Sequence, residues 1–253
     1  MKTSDAVSIL WESIQDNVHD PDQLRGLLSM DAAYAVQLGV LTRFEELGDR
    51  LVGWKVGLTA KAIQEQLGFH EPVFGFLTRN ARHESGVELD FGNLKAPGFE
   101  NELCLTIGET LTGPDVTFDQ AMAAISEVSP AFEIIEKRSR PPLDMPLAMA
   151  DNGQQKGFVV GEGVQFTGMD LAKVSVDVFV NGTKQETAIG AEVLGTPVES
   201  VVWLANKLSQ FERSLEAGSF VMSGSFTKQY DLSRGDRIEA DFAGIGRVTA
   251  YFP

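Results

Sequence analysis

The sequence predicts an α+β protein, with a small helical N-terminal region over residues 1–50 and a mainly β body over 51–253. Three observations carry this. Apolar residues recur at helical spacing through the first segment. From Leu51 the texture changes to short runs rich in β-branched and aromatic residues, broken by glycine. The last third ends in a hairpin signal followed by three more strand-like runs.

Taken in order, Ser4 can cap a first helix whose Val7, Leu10, Trp11, Ile14 and Val18 share one side. A second runs from Asp31 to about Leu47, aligning Tyr34, Leu38, Leu41 and Phe44. Leu51 to Thr59 reads as a strand, residues 60–67 as a short helix, and Gly68 to Gly75 as a loop feeding the next strand. Phe99 to Gly108 and Pro130 to Glu136 form a strand pair, linked by a helix that Thr117 and Gln120 start with a capping box. Met149 to Gly157 is a polar loop entering the apolar run Phe158 to Gly161. Lys173 to Val180 alternates apolar and polar residues, and Asn181-Gly182 is the favoured two-residue hairpin turn. Thr196 and Glu199, with Pro197 at the first helical position, start a helix carrying Val202, Ala205, Leu208 and Phe211. Ser219 to Gly224, Asp236 to Phe242 and Arg247 to Phe252 read as strands.

Composition narrows the function. A chain of 253 residues with 43% hydrophobic content can bury a sizeable core. Its formal charge of -15 argues against nucleic acid or an anionic membrane as partner, because both demand basic patches, so an acidic substrate needs a local cation. No apolar run is long enough for a membrane span or a signal-peptide core, and the chain reads as cytoplasmic. The single cysteine, Cys104, has no disulfide partner in the chain and fits a small structural residue better than a nucleophile. Walker, Rossmann, cysteine/histidine zinc and nucleophile-elbow patterns do not occur.

The chemistry concentrates in the strand pair. Alternation projects Glu100, Glu102 and Thr106 to one face and Leu103, Leu105 and Ile107 to the other. Two carboxylates at i and i+2 on so apolar a strand repel unless a cation or water lies between them. Magnesium prefers an octahedron of oxygens, so Glu100, Glu102 and Glu133 would supply three and leave the rest to water and substrate. The alternative is that Glu100 and Glu102 line the solvated side of an ordinary strand.

Lys55 sits between two glycines, where a ligand can approach the backbone closely, and is either functional or a lysine snorkelling from an exposed face. His70 and Glu71 are neighbours in a loop suited to acid/base work or substrate contact, or are simply solvated. Asp151 and Lys156 occupy a polar loop between strands, where sites are often built, though most such loops only connect.

Six stretches recur together in this order: Gly53 to Thr59, Glu100 with Glu102, Pro130 to Arg138, Ala150-Asp151-Asn152, Val201 to Leu208, and Ser223 to Thr227. Over nearly its full length the chain resembles the fumarylacetoacetate hydrolase superfamily, in the branch of 2-keto-4-pentenoate hydratases and 4-oxalocrotonate decarboxylases. The resemblance implies a rolled-sheet core behind a helical N-terminal region, assembled as a homo-oligomer. It implies a Mg2+ or Mn2+ site made by Glu100, Glu102 and Glu133, completed by the carboxylate and 2-oxo or 2-enol oxygens of a small 2-oxo acid. It places Lys55 near the substrate carboxylate, and the turn containing Ser223, Ser225 and Thr227 over the ligand.

Reactions of this branch pass through an enolate whose C2 oxygen the metal stabilises. A hydratase converts a 2-hydroxy-2,4-dienoate to its conjugated 2-oxo form and adds water at C4, giving a 4-hydroxy-2-oxo acid. A decarboxylase reaches the enolate by losing carbon dioxide.

Two departures bear on that choice. Many hydratases of the branch have an aspartate where this chain has Val73, an apolar residue closer to the decarboxylase subgroup. Gln154, Gln155 and Lys156 replace small residues, and Lys156 would add positive charge near the site, suited to a second substrate carboxylate or to proton donation. Three readings follow: a hydratase, a decarboxylase or C–C bond hydrolase, and a non-catalytic partner subunit. The intact glutamate set disfavours the last.

Overall fold

The computed structural model describes residues 1–253 apart from 62, 63, 66 and 67. The short helix expected over 60–67 therefore lies outside the described residues. Two helices lead the chain, α1 Thr3–Gln15 and α2 Met30–Glu46. Ser29 caps α2 by accepting from the Ala32 N–H. Ser4 does not cap α1: Ala6 N–H already bonds Lys2 O, so the helix starts two residues ahead of the expected position. Nor does α1 reach Val18, because Asn17 adopts a positive φ of 55° and Val18 is exposed. At Gly39 of α2 a Cβ would lie 2.4 Å from Val7 Cγ2, so this glycine lets the two helices meet. Tyr34 of α2 then stacks on Phe74 at 4.4 Å, docking the helical layer against the strands.

The first sheet contains β1 Leu51–Gly57, β2 Val73–Thr78, β3 Arg82–Glu84, β5 Pro97–Ile107, β6 Ile125–Glu136, β7 Gln155–Val160 and β11 Phe220–Met222. Its order is β2-β1-β11-β5-β6-β7-β3, with β8 Val164–Gln165 on β6 and β12 Tyr230–Asp231 on β5. The second sheet contains β4 Val87–Glu88, β9 Ser175–Val180, β10 Thr183–Ile189, β13 Arg237–Phe242 and β14 Gly246–Tyr251. Its order is β10-β9-β13-β14-β4. Among the described residues, further helices are α3 Phe118–Ala124, α4 Met145–Ala150 and α5 Pro197–Ser209. The expected capping box of α3, between Thr117 and Gln120, is formed.

Chain geometry forces the first sheet to roll. β2 and β3 stand at opposite ends of the strand order, yet only Arg79 to Ala81 separate them in sequence. Those few residues reach no more than about 14 Å. Seven strands laid flat would span roughly 29 Å. The sheet therefore curls until its ends approach, and β2 contacts β7.

Ladder partners share a face, and the pairings Lys55–Met222–Cys104, Glu102–Ala131 and Glu133–Phe158 fix the inner one. Leu77, Cys104, Ala131, Phe158 and Met222 pack together inside the roll, beside Lys55 and the glutamates. The outer face of β5 and β6 carries Phe99, Leu103, Leu105 and Phe132 into the main core. Both faces of these strands are thus largely covered: Glu102 and Glu133 are buried and Glu100 is half-buried.

α5 differs from expectation in two ways. Pro197 holds the first helical position, but the Thr196 side chain makes no capping bond. Its buried stripe is Val198, Val201, Leu204, Ala205 and Leu208, rotated from the expected one because Ser200 is buried too. The Ser200 hydroxyl donates to Ser223 O at 2.6 Å and anchors the end of β11. The expected polar loop over 149–157 is shortened by α4, which ends at Ala150, and by β7, which begins at Gln155.

Candidate metal centre

Strand alternation and the β5–β6 register assemble the site. Glu100 and Glu102 share the inner face of β5, and Glu133 of β6 stands directly opposite Glu100. Carboxylate oxygens of the three lie within 4.8 Å of one another. Like charges directly across a ladder destabilise it, so this pair needs something between its members. Glu102 is 0% and Glu133 1% exposed, while Glu100 is half-buried at the edge of the cluster. Glu102 Oε2 accepts the Gly224 N–H at 2.8 Å, Glu133 Oε1 faces Lys55 Nζ at 3.3 Å, and Glu102 Oε1 has no partner.

Burial is the largest influence on all three acids and raises each pKa. Glu100 is pushed up to about 7 by burial and then by Glu133, against the pull of Lys55. Burial raises Glu102 well above the usual glutamate value, Glu133 and Glu100 add to it, and the Gly224 N–H offsets part. Glu133 is also raised, burial outweighing Lys55. For Lys55 burial works to lower the pKa, but Glu133, Glu100 and Glu102 together outweigh it and the net shift is upward.

These properties fit a hard divalent cation. The donors are all carboxylate oxygens, the class that suits magnesium, manganese and calcium. Glu102 Oε1 is buried with no partner, and Glu133 Oε1 has only Lys55 Nζ, 3.3 Å away. Three carboxylates and the Lys55 ammonium leave two negative charges, which one divalent ion neutralises.

Lys55 enters from β1, with Nζ 3.3 Å from Glu133 Oε1 and 3.3 Å from Gly153 O, to which it donates. Glycines make this possible. A Cβ at Gly75 would lie 3.0 Å from Lys55 Cε, and one at Gly153 2.9 Å from Lys55 Nζ. The turn after β11 closes another side. Gly224 has φ +105°, and a Cβ there would lie 2.5 Å from Thr59 Cγ2. Ser223 is fully buried, and the Ser225 hydroxyl lies 3.5 Å from Asn101 O. Thr227 Oγ1 accepts from Asn101 Nδ2 at 2.6 Å and donates to Lys228 O at 2.9 Å, so it fastens the turn to β5.

The other sequence candidates go elsewhere. Asp151 is held by Arg138 through two bonds of 2.7 and 3.1 Å, and Lys156 Nζ lies 3.7 Å from Glu136. Both line a separate cavity of about 310 Å3, to whose lining none of the three glutamates belongs. The positive charge expected from Lys156 beside the glutamates therefore faces that cavity instead. His70 is exposed in the loop before β2, and its neighbour Glu71 pairs with Lys207 at 2.8 Å. Residue-level reasoning did not single out Gly75, Asn101, Gly153 or Gly224 as site builders. Their roles depend on contacts between distant strands, and the only local hint was glycine beside a charged or polar residue.

A rolled sheet holding an all-carboxylate cation cradle and a buried lysine is the frame of a metal-dependent enzyme of the α+β class. The family model described as "Fumarylacetoacetate (FAA) hydrolase C-terminal" matches residues 35–252, and the chain belongs to that family. It is 33% identical over 229 residues to 2-hydroxyhexa-2,4-dienoate hydratase of Comamonas testosteroni, covering 89% of this chain and 87% of that one. It is 33% identical over 222 residues to 4-oxalocrotonate decarboxylase of Pseudomonas putida, covering 87% and 84%. The solved structure of 4-oxalocrotonate decarboxylase from Pseudomonas putida G7, complexed with magnesium and adipate, superposes with a TM-score of 0.94 at 31% identity, over 100% of this chain and 99% of that one.

Proposed function

We propose that this chain is a metal-dependent lyase that adds water to a 2-hydroxy-2,4-dienoate, through its 2-oxo-enoate form, to give a 4-hydroxy-2-oxo acid. The observation that carries the reading is the Glu100, Glu102 and Glu133 cluster beside Lys55, with Glu102 Oε1 buried and unpartnered. These glutamates would hold Mg2+ or Mn2+, which supplies a Lewis acid for negative charge developing at the C2 oxygen of a 2-oxo acid.

The chain's own groups do the rest. Lys55, with Nζ 3.3 Å from Glu133 Oε1 at the edge of the cluster, serves as a positive anchor for the substrate carboxylate. The Gly224 N–H fixes one oxygen of Glu102 and leaves the other free toward the cluster. Ser225, half-buried at the turn with its hydroxyl 3.5 Å from Asn101 O, would contact bound substrate, and Ser223 would support that turn. In the reaction the C2 hydroxyl gives up its proton as C5 gains one, leaving the 2-oxo-3-enoate, and water then adds with its hydroxide on C4 and its proton on C3.

A second reading is favoured by one observation. Val73 pairs with Gly57 on the stretch of β2 where Gly75 pairs with Lys55, so it shares their face of the sheet. It is buried and apolar. With no acid there to move protons, decarboxylation of an oxo-diacid of the 4-oxalocrotonate type becomes the competing reaction. The helical segment over 1–50 contributes no residue to the cluster, which supports its reading as a lead-in to the catalytic body. No helix among the described residues is long and apolar enough to cross a membrane. The family resemblance is what supports assigning the enzyme to the cytoplasm as a homo-oligomer.

The test is to incubate purified protein and Mg2+ with 2-hydroxypentadienoate and, separately, with 2-oxo-3-hexenedioate, following ultraviolet loss and carbon dioxide release. Hydration without carbon dioxide supports the first reading. Carbon dioxide release without hydration replaces it with the second.

A further inference from the structure

The turn that meets Lys55 is built unlike its surroundings. Asn152, Gly153 and Gln154 have φ of 53°, 57° and 64°, three consecutive residues in the left-handed region. Two of them carry side chains, and such residues cost of order 1–3 kcal/mol each and persist only where surrounding contacts over-determine them. Those contacts are present. Asn152 Oδ1 accepts the Phe76 N–H at 2.7 Å, and Asn152 Nδ2 donates to Phe76 O at 3.0 Å. One side chain thereby takes the place of a neighbouring strand along β2. Arg138 grips the flanks, bonding the Asp151 carboxylate and its main-chain carbonyl and reaching the carbonyls of Gln154 and Gln155. Gln37 ties the preceding residue pair, donating to Met149 O and to Phe74 O of β2.

Two measurements of distance therefore start from the same strand. β2 sets β1 by pairing Gly75 with Lys55, and sets the turn by pairing Phe76 with Asn152. The gap between the Lys55 backbone and the Gly153 carbonyl follows from both. We propose that Asn152 is a positioning residue for Lys55: its paired bonds to Phe76 hold a strained left-handed turn so that Gly153 O keeps the ammonium aimed at the glutamate cluster. The inference rests on the reading of Lys55 as substrate anchor only for its kinetic consequence. The structural consequence stands without it.

The experiment therefore has two arms. Crystal structures of the wild type, Asn152→Ala and Asn152→Gly are compared. Glycine tolerates the left-handed backbone, so this variant removes the side-chain bonds without adding strain. Loss of the Lys55 Nζ to Gly153 O contact in both variants is expected, and an undisturbed contact in Asn152→Gly overturns the proposal. In the second arm, pyruvate binding in the presence of Mg2+ is measured by calorimetry for Asn152→Gly alone and in a Lys55→Met background. Misplacement on the 1 Å scale costs up to roughly a hundredfold. Weaker pyruvate binding by tenfold or more in the first background and no further loss in the second is the expected cycle. Equal losses in both backgrounds show that Asn152 does not act through Lys55, and overturn the proposal. Absence of Mg2+ and pyruvate binding in the wild type itself refutes the proposed function, and the crystallographic arm then decides the positioning role alone.

Discussion

Lys55 Nζ and Glu133 Oε1 face each other at 3.3 Å inside the rolled sheet, with side chains 7% and 1% exposed. This pair balances a cluster whose burial works against charge. Lys55→Met keeps much of the stem and removes the ammonium, leaving buried carboxylates without their counter-charge. Breaking a buried pair costs about 3–5 kcal/mol. Denaturant unfolding of the metal-free variant at about pH 8 should show a loss approaching that size, and a smaller one at about pH 6, where the acids take up protons.

The same acids set a pH dependence. Glu100 moves from the usual 4.5 up to about 7 on folding, chiefly through burial and then Glu133. The folded state therefore binds more protons than the unfolded one between those values. Its contribution is fully present below about 4.5 and is lost as pH rises through about 7. Glu102 and Glu133 shift the same way. Lys55, also raised, adds no slope in this window because it stays protonated in both states. Thermal unfolding with chelator should show the wild type losing stability relative to Glu100→Gln across this range. Added Mg2+ should stabilise the wild type increasingly as pH rises, because ligation needs the deprotonated acids.

Space around Lys55 predicts a graded response at two glycines. Gly75→Ala places a Cβ 2.8 Å from Asn152 Oδ1 and 3.0 Å from Lys55 Cε. Gly57→Ala meets Val73 Cγ2 at 3.4 Å and Lys55 Nζ at 3.5 Å, ordinary contact distances. Overpacking costs about 1–3 kcal/mol, so the first variant should lose that much stability and most of its activity. The second should stay close to wild type in both assays.

Gly224→Ala tests the turn over the cluster. The residue has φ +105°, and the new methyl would lie 2.5 Å from Thr59 Cγ2. Strain of this kind costs about 1–3 kcal/mol. Because the Gly224 N–H also fixes Glu102 Oε2, the variant should show a smaller gain in melting temperature with Mg2+ than the wild type does.

The strand carrying Glu100 and Glu102 was legible because alternation depends on local sequence alone, and the hairpin at Asn181-Gly182 for the same reason. Ladder register then placed Glu133 opposite Glu100, a fact no local pattern contains. The roll that buries the cluster follows from where β2 and β3 stand in the sheet, which strand-by-strand reading does not reveal. Asp151 was a site candidate because it lies in a polar loop between strands. Its partner Arg138 was in plain view, but the bond joining them depends on how the chain returns after Arg138. Ser200 misled the reading of α5, since a buried hydroxyl satisfied by a carbonyl is indistinguishable in sequence from an exposed one.

Calorimetric titration with Mg2+ tests the central claim most directly, on the wild type and on a variant combining Glu100→Gln, Glu102→Gln and Glu133→Gln. Amides of the same shape keep the fold and remove the charge. One ion bound per wild-type chain and none by the variant is the expected result. An unchanged stoichiometry in the variant would place the metal elsewhere and contradict the account.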